Sequence, residues 1–271
     1  MYSAKAMIQK RRSVRSFNGS PLGEKDKHAM QAYIDAQKNP FGVPIVFRLL
    51  EAKAYGLSSP VIVGEDTYLA AKVSTKQKYY EIAFGYSFEA ACLYAQSLGL
   101  GTVMLAASLS RTAFETAMEL GENEVLPLAS PIGYPAEKKS IREALMRKAL
   151  KADERISFEA LFFKNDFSVP LRKSDAGVFS EALEMARRAP SAANKQPWRA
   201  VVQDDTVHFY ENKTMKESTL GDVQKVDIGI ALSHFDLTMQ EEGHSGKFIE
   251  SDPHLETPEN HIYIVSYERK S

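Results

Sequence analysis

The chain of 271 residues holds one cysteine, Cys92, and one tryptophan, Trp198. A single cysteine excludes a disulfide framework within the chain and any metal site built from several thiolates. Cys92 falls at helical spacing with Phe88, Ala91 and Ala95, so it reads as a small buried hydrophobe. An excess of either charge is also lacking: 34 Lys and Arg stand against 35 Asp and Glu, a formal net charge of -1. That balance supplies no overall field for a nucleic acid or an anionic membrane, so any basic site has to be local. No apolar run approaches the roughly 18 residues that cross a bilayer. The first ten residues carry no long apolar stretch followed by a small-residue cleavage site. The expectation is a cytoplasmic protein with neither a nucleic-acid nor a membrane partner. No Gly-x-Gly-x-x-Gly follows a strand-like run, and there is no P-loop, so neither dinucleotide nor triphosphate binding of those kinds is supported. The six histidines are scattered, and His244, His254 and His261 lack the spacing of a usual metal site, so no metal is expected.

What is present is two long helical patterns. In Lys78 to Leu98, the residues Phe84, Phe88, Ala91, Cys92, Ala95 and Leu98 make one apolar stripe, and Gly99 stands at the helix stop. In Asp222 to Glu242, the stripe is Ile228, Ala231, Leu232, Phe235 and Met239, with Gly243 at the stop. Asp227 and His234 share a face of this second helix, a spacing that suits a surface or core hydrogen bond. Shorter helices are expected over Glu24 to Lys38, Arg111 to Leu120, Ser140 to Leu150 and Asp175 to Arg188. Strands are expected over 45–50, 61–63, 102–105, 125–132, 200–203, 207–210, 247–249 and 261–267. The runs 200–203 and 207–210 are too close for a helical crossover and should pair antiparallel. The fold class that follows is α+β, with a mixed or antiparallel sheet and helices on both faces.

The two halves of the chain resemble each other. Helix 24–38 leads into Asn39-Pro40-Phe41-Gly42, and helix 175–188 leads into Ala189-Pro190-Ser191-Ala192. Phe47-Arg48 stands in the place of Trp198-Arg199, Gly85 matches Gly229 and Gly99 matches Gly243. Phe17 and Pro21 match Phe167 and Pro170. The offset stays at about 145–150 residues, the mark of an internal pseudo-dimeric duplication. The expected division is 1–155 and 156–271, with the charged stretch Lys148 to Arg155 as linker.

Two motifs carry chemistry. The first is Arg11-Arg12-Ser13-Val14-Arg15-Ser16-Phe17. Guanidinium groups offer planar forks of donors matched to phosphate oxygens. In an extended segment Arg11, Ser13 and Arg15 point to one face. The second is Ala189-Pro190-Ser191-Ala192-Ala193-Asn194-Lys195-Gln196-Pro197-Trp198. Its prolines fix the ends of a loop of small residues that lets a planar ligand approach the backbone, while Ser191, Asn194 and Gln196 supply polar groups. Trp198 reads as the packing anchor of the loop. Ser191 lacks the strand–turn–helix setting of a hydrolase nucleophile. Taken singly, the first motif is also what a solvated basic face looks like, and the second what an ordinary proline-bounded connection looks like.

Taken together, Arg-Arg-Ser-Val-Arg-x-Phe and Ala-Pro-Ser-Ala-x-Asn-x-Gln-Pro-Trp resemble the nitroreductase family, FMN-dependent oxidoreductases that are usually homodimers. The resemblance continues through Gly99-Leu100-Gly101-Thr102, Val103-Met104-Leu105 and Pro131-Ile132-Gly133-Tyr134-Pro135. The double length is similar to a fused, pseudo-dimeric branch of that family. It implies a nitroreductase-like three-layer arrangement and one FMN between the halves. NAD(P)H is implied as electron donor, and a small-molecule electron acceptor such as a nitroaromatic or a quinone. It places Arg11, Ser13 and Arg15 on the phosphate and ribityl chain, with Arg12 assisting. Pro190, Ser191, Ala192 and Asn194 would border the isoalloxazine, with Gln196 in the same loop. Leu105, Ala106 and Ala107 match a segment that offers backbone groups to the ring, although many relatives have Gly at the alanine positions. Arg155 resembles a late basic phosphate contact, with Lys151 nearby. Glu51 to Ser58 lacks the family's mid-chain Asn and Lys. No side chain is assigned as catalytic.

The resemblance also implies a division of labour. Half one keeps the arginines, but its loop reads Asn39-Pro40-Phe41-Gly42-Val43-Pro44. Half two keeps the loop, but Phe163-Lys164-Asn165-Asp166-Phe167 has no Arg. One site is therefore expected to survive and its pseudo-symmetric partner to be lost. A fused dimer has no further need to dimerise, so a monomer is expected. Two other readings stay open. One is another flavin reaction on the same fold, such as dehalogenation or flavin breakdown; the other is a flavin-binding or sensory protein without turnover.

Overall fold

The computed structural model describes residues 2–137 and 154–270. Most of the expected linker and the expected helix at 140–150 lie outside the described residues, as does Lys151. Chain order runs α1 (Ala4–Lys10), α2 (Glu24–Ala36), β1 (Ile45–Glu51), α3 (Ala52–Tyr55), β2 (Thr67–Ser74), α4 (Tyr80–Ser97), β3 (Gly101–Thr102), α5 (Arg111–Ala117), β4 (Glu124–Val125) and β5 (Ala129–Gly133). It continues with α6 (Phe158–Leu161), β6 (Phe162–Lys164), α7 (Ser180–Arg187), β7 (Trp198–Gln203), β8 (Thr206–Asn212), α8 (Val223–Glu241), β9 (Gly246–Ile249) and β10 (His261–Arg269).

Among the described residues there are two sheets, whose four main strands share one topology. The first runs β1-β2-β5-β3, with β4 added beside β2, and the second runs β7-β8-β10-β9, with β6 added beside β7. In each, the first two strands form a hairpin-like pair and the long helix follows (α4 or α8). The third strand then takes the outer place and the fourth inserts between. β7 and β8 pair antiparallel as their short separation requires, with Trp198 opposite Glu211. The single parallel pairing among these strands is β6 with β7.

β2 has helices on both faces. Leu69, Ala71 and Val73 face the main core around α4, while Tyr68 and Ala70 join Phe114, Ala117 and Met118 of the α5 region. This alternation across a strand is what a central, doubly covered position demands. The strand expected at 125–132 is broken into β4 and β5 around Pro127, which has no N–H to give to a ladder. The strand expected at 102–105 stops at Thr102, because the Val103 N–H donates to the Ser130 hydroxyl at 3.0 Å and Leu105 makes only an isolated bridge to Ala129. Residues 61–63 form no strand; Val63 bridges Ser16 alone. The helix expected from Asp175 begins at Ser180: Lys173–Asp175 is a 3-10 turn, and Gly177, in the left-handed region (φ +54), opens a second one, Gly177–Phe179, that runs directly into α7.

The centre of the molecule is the crossing of α4 and α8. Fourteen of the 18 residues of α4 and fourteen of the 19 of α8 are buried. The helices meet backbone to backbone at two glycines. A Cβ on Gly85 would lie 2.0 Å from the Val226 carbonyl oxygen, and one on Gly229 would lie 2.1 Å from that of Ile82. The contact is reciprocal: 229 minus 85 and 226 minus 82 are both 144. Reciprocal contacts of this kind define a two-fold relation. Gly99 and Gly243, which end the two helices, both take a left-handed φ, +79 and +81.

Candidate functional site

The arginine arm leaves α1 at Arg11, whose N–H caps the helix on the Met7 carbonyl at 2.7 Å. The chain then runs extended. The Val14 N–H donates to the Thr102 carbonyl (3.0 Å), the Phe17 N–H to the Val63 carbonyl (2.8 Å), and the Val63 N–H to the Arg15 carbonyl (3.0 Å). Val14 and Phe17 are buried with Ile62, Val103 and Leu105. Val14 lies so close to Gly101 that a Cβ there would meet its side chain at 2.8 Å. With Val14 pinned inward, the alternation of an extended chain turns Arg11, Ser13 and Arg15 the other way, onto the wall of one cavity.

That cavity has a volume of about 570 Å³, within the usual range for small-molecule sites. Arg11, Arg12, Ser13 and Arg15 line one side; Leu105, Ala106 and Ala107 another; Arg155, Pro190, Ser191, Ala192 and Asn194 a third. Of the site residues named from the sequence, only Gln196 is not on the wall. It is buried behind the loop, its Oε1 accepting the Ile156 N–H at 3.0 Å and its backbone N–H donating to Ser191 Oγ at 2.8 Å. Gln196 thus shapes the loop from behind. Trp198 is buried in the main core, the anchor its position suggests.

The loop holds an unusual backbone. Ala193, Asn194 and Gln196 all have positive φ (48, 55 and 49), which costs a non-glycine residue about 1–2 kcal/mol each. Several contacts hold it there. Asn194 Nδ2 donates to the Glu154 carbonyl (3.1 Å), Arg155 reaches the Arg188 carbonyl (3.1 Å), and the Ala192 N–H points at both carboxyl oxygens of Asp227 (3.1 and 3.0 Å). Ala106 and Ala107 face the cavity without bulk, and the Ala106 carbonyl accepts from the Arg111 guanidinium.

α8 supplies a wall that no motif announces. Val223, Asp227 and Ile230 line the cavity, and so does Arg188 at the end of α7. Among the described residues on the wall there are five guanidinium groups (Arg11, Arg12, Arg15, Arg155, Arg188) and one carboxyl, Asp227. Burial pushes the Asp227 carboxyl well above the usual carboxylate range, against the opposing pull of the Ala192 N–H. The periodicity of α8 marks Ile230's neighbours as core, but an acid within the helix carries no signal that it faces inward. The cavity is therefore strongly cationic and closed by small side chains on two walls. Among the described residues, no group of three or more His, Cys, Asp or Glu side chains is placed to hold a metal, and no helix is long and apolar enough to cross a membrane.

Comparison with known proteins gives a consistent result. A crystal structure of a putative nitroreductase from Thermotoga maritima MSB8 superposes with a TM-score of 0.65 at 18% identity, covering 99% of this chain and 93% of that one. A nitroreductase family protein from Clostridium difficile 630 covers 59% of this chain and 100% of its own (TM-score 0.45, 14% identity). An FMN-dependent nitroreductase from Clostridium difficile R20291 covers 52% and 94% (TM-score 0.41, 12% identity). No curated protein matches the sequence. The family model described as "Putative TM nitroreductase" matches residues 4–239, a span that contains both motifs, the α4–α8 crossing and every residue on the cavity wall, and the chain belongs to that family.

Proposed function

We propose that the chain is an oxidoreductase that binds one FMN between its two halves and passes reducing equivalents from NAD(P)H to an electron-poor small molecule such as a nitroaromatic or a quinone. The observation that carries this reading is the meeting of the arginine arm and the 189–197 loop, from opposite halves of the sequence, on one cavity. The donor set fits the cofactor. A phosphate dianion suits guanidinium and hydroxyl donors, and Arg11, Ser13 and Arg15 offer them from one extended face, with Arg12 and Arg155 beside them. A planar ring needs small neighbours and backbone polar groups, which Leu105, Ala106 and Ala107 supply on one wall and Pro190, Ser191, Ala192 and Asn194 on another. When bound, FMN supplies the hydride chemistry; the protein supplies binding, orientation and electrostatics.

We infer further that the halves, 1–155 and 156–271, arose by duplication of one unit, and that only one of two ancestral sites survives. At the offset of 144, Val223, Ile230 and Met104 on the cavity wall correspond to Tyr79, Tyr86 and Phe248. These three aromatic rings surround Phe41, with centroids 5.7, 6.2 and 5.4 Å from it. Phe41 itself follows Pro40 as Ser191 follows Pro190. The second location is thus filled by rings where the first is open. With both ancestral subunits in one chain, a monomer is the expected solution state.

The test is the absorbance spectrum of the purified protein with flavin counted per chain. One FMN per chain is expected. Arg11→Ala with Arg15→Ala should release it, and full occupancy in that variant would refute the phosphate assignment. Oxidation of NADH or NADPH in the presence of a quinone tests turnover; bound FMN without turnover across nitroaromatics and quinones would leave a flavin-binding module.

A further inference from the structure

Behind the cavity wall, Arg11 is not held by its own segment. Its Nε lies 3.3 Å from Glu89 Oε1, and both side chains are buried, 8% and 0% exposed. Glu89 stands on α4, on the same carboxyl oxygen meeting His234 Nε2 of α8 at 2.7 Å. The other ring nitrogen, His234 Nδ1, lies 3.0 Å from the Met185 carbonyl at the end of α7. A carbonyl oxygen only accepts, so Nδ1 carries a hydrogen. Nε2 and a carboxyl oxygen at 2.7 Å also need a hydrogen between them, borne by one or the other. The Glu89–His234 pair is therefore neutral as a unit, either as two ions or as two neutral groups. Ile8, Leu93 and Met185 pack around this point and keep water away.

The consequence concerns charge. A lone Glu89 carboxylate against Arg11 would cancel the guanidinium that faces the cavity. With the shared proton counted, the pair adds no net charge, so Arg11 Nε sits within ion-pair distance of Glu89 Oε1, without a hydrogen bond to it, while its positive charge stays available on the cavity side. Arg11 belongs to half one, as does Glu89; His234 and Met185 belong to half two. The cation on the cavity wall is thus set by the docking of the two long helices, not only by the arm that bears it.

We propose that Glu89 and His234 are positioning residues for the phosphate end of the site, acting through Arg11. The proposal rests on the reading of Arg11 as a phosphate partner. A buried carboxyl partner limits where the guanidinium can go, which removes an ordering cost from binding. Glu89→Gln keeps the pair neutral, because a neutral His234 can accept at Nε2 from the new amide, but it sets an amide nitrogen where the carboxyl oxygen faced Arg11 Nε.

The experiment compares dissociation constants for FMN and for riboflavin, which lacks the phosphate, by flavin fluorescence quenching on the full chain. In the reference variant, Arg11→Ala, the preference for FMN over riboflavin should fall by about 10- to 100-fold, the span expected for one charge-assisted bond. In Glu89→Gln it should fall about five- to tenfold, with riboflavin binding changed less than twofold. In the Arg11→Ala background, Glu89→Gln should change the preference no further. His234→Gln, the milder change should Glu89→Gln fail to fold, should lower the preference in the same direction. Equal weakening of FMN and riboflavin in the Glu89 or His234 variants would mean a purely structural role and overturn the proposal. A preference lost in Arg11→Ala but kept in both other variants would overturn it while leaving the phosphate reading intact. An unchanged preference in Arg11→Ala would overturn the phosphate reading and the proposal with it.

Discussion

The closest backbone approach in the core makes a sharp prediction for Gly85→Ala. The new Cβ would lie 2.0 Å from the Val226 carbonyl oxygen, 2.9 Å from its carbon and 3.1 Å from its Cα. None of these atoms is the free end of a side chain, so the clash cannot be relieved by a rotamer change. Reaching even a tight contact requires α4 and α8 to part by about 1 Å, and close-packed interiors do not absorb such a shift cheaply. A gap of roughly 0.5–1 Å forfeits a quarter to a half of each dispersion contact along the seam. Against this, Ala gains about 1 kcal/mol over Gly in a helix interior. Overpacking costs typically about 1–3 kcal/mol and more where backbone is struck, so a net loss of about 2 kcal/mol is expected. Gly229→Ala should cost as much, since its Cβ would lie 2.1 Å from the Ile82 carbonyl oxygen. The two effects should not add. One separation relieves both clashes, so the double variant should be little worse than either single one. Urea unfolding of the four proteins measures this. A stable Gly85→Ala, or a double variant whose loss equals the sum, would refute the backbone crossing on which the arrangement of the two halves depends. Because Val223, Asp227 and Ile230 ride on α8, flavin retention should weaken in the same variants.

Two further outcomes follow from buried groups elsewhere. Glu211 on β8 is buried, and burial with the nearby Asp222 charge pushes its carboxyl up to about 7, opposed by Lys213 and Lys225. A raised acid stabilises the fold below its unfolded value, near 4.5, and that contribution is lost as pH rises through about 7. Thermal melts should therefore show the native chain losing about 1–3 kcal/mol between pH 5 and pH 8 from this site. Glu211→Gln should flatten the profile and melt higher than the native chain at pH 8; a parallel profile would contradict the assignment. For the aromatic cluster, Phe41→Ala should destabilise by about 2–3 kcal/mol through the cavity it leaves, yet bind no second flavin, since Phe163-Lys164-Asn165-Asp166-Phe167, which stands where the arginine arm would be, has no Arg. Two flavins per chain in the variant would show that the ring alone blocks a competent site.

The parts of the site carried by contiguous residues were legible in the sequence. The extended arm could be read because Arg11, Ser13 and Arg15 recur at every second position, with Val14 between them facing the other way, and the loop because its prolines and small residues are local signals. The wall that α8 supplies was not. Asp227 and Ile230 face the cavity only because α8 crosses α4, and a buried acid in a helix has the same local pattern as an exposed one. The same cause hid β2: Tyr68, Leu69, Ala70 and Ala71 are all buried because α4 covers one face and α5 the other, so the run shows no alternation to mark a strand. Gln196 was placed with its neighbours on the ligand side, but its positive φ turns it toward Ile156. Backbone conformation of that kind is set by the contacts the loop makes, and composition does not encode it.

Under the proposed fusion, asymmetry is expected on simple physical grounds. In a homodimer one gene supplies both sites, so an arm and a loop must coexist in every subunit. In a single chain each half needs to keep only what the one useful cavity requires. Positions on the other side then drift toward whatever fills space best. Where the cavity has Val223, Ile230, Met104 and Ser191, the far side has Tyr79, Tyr86, Phe248 and Phe41, and aromatic side chains bury more area than any other replacement. Asp227, which clamps the Ala192 N–H, corresponds at the same offset to Ala83, fully buried and unable to hold a loop. On that proposal the replacements exchange binding for stability on one side, while the crossing glycines, Gly85 and Gly229, stay paired on both. Symmetry would then survive where packing needs it, at the backbone contact of the helices, and be lost where only a ligand would have maintained it.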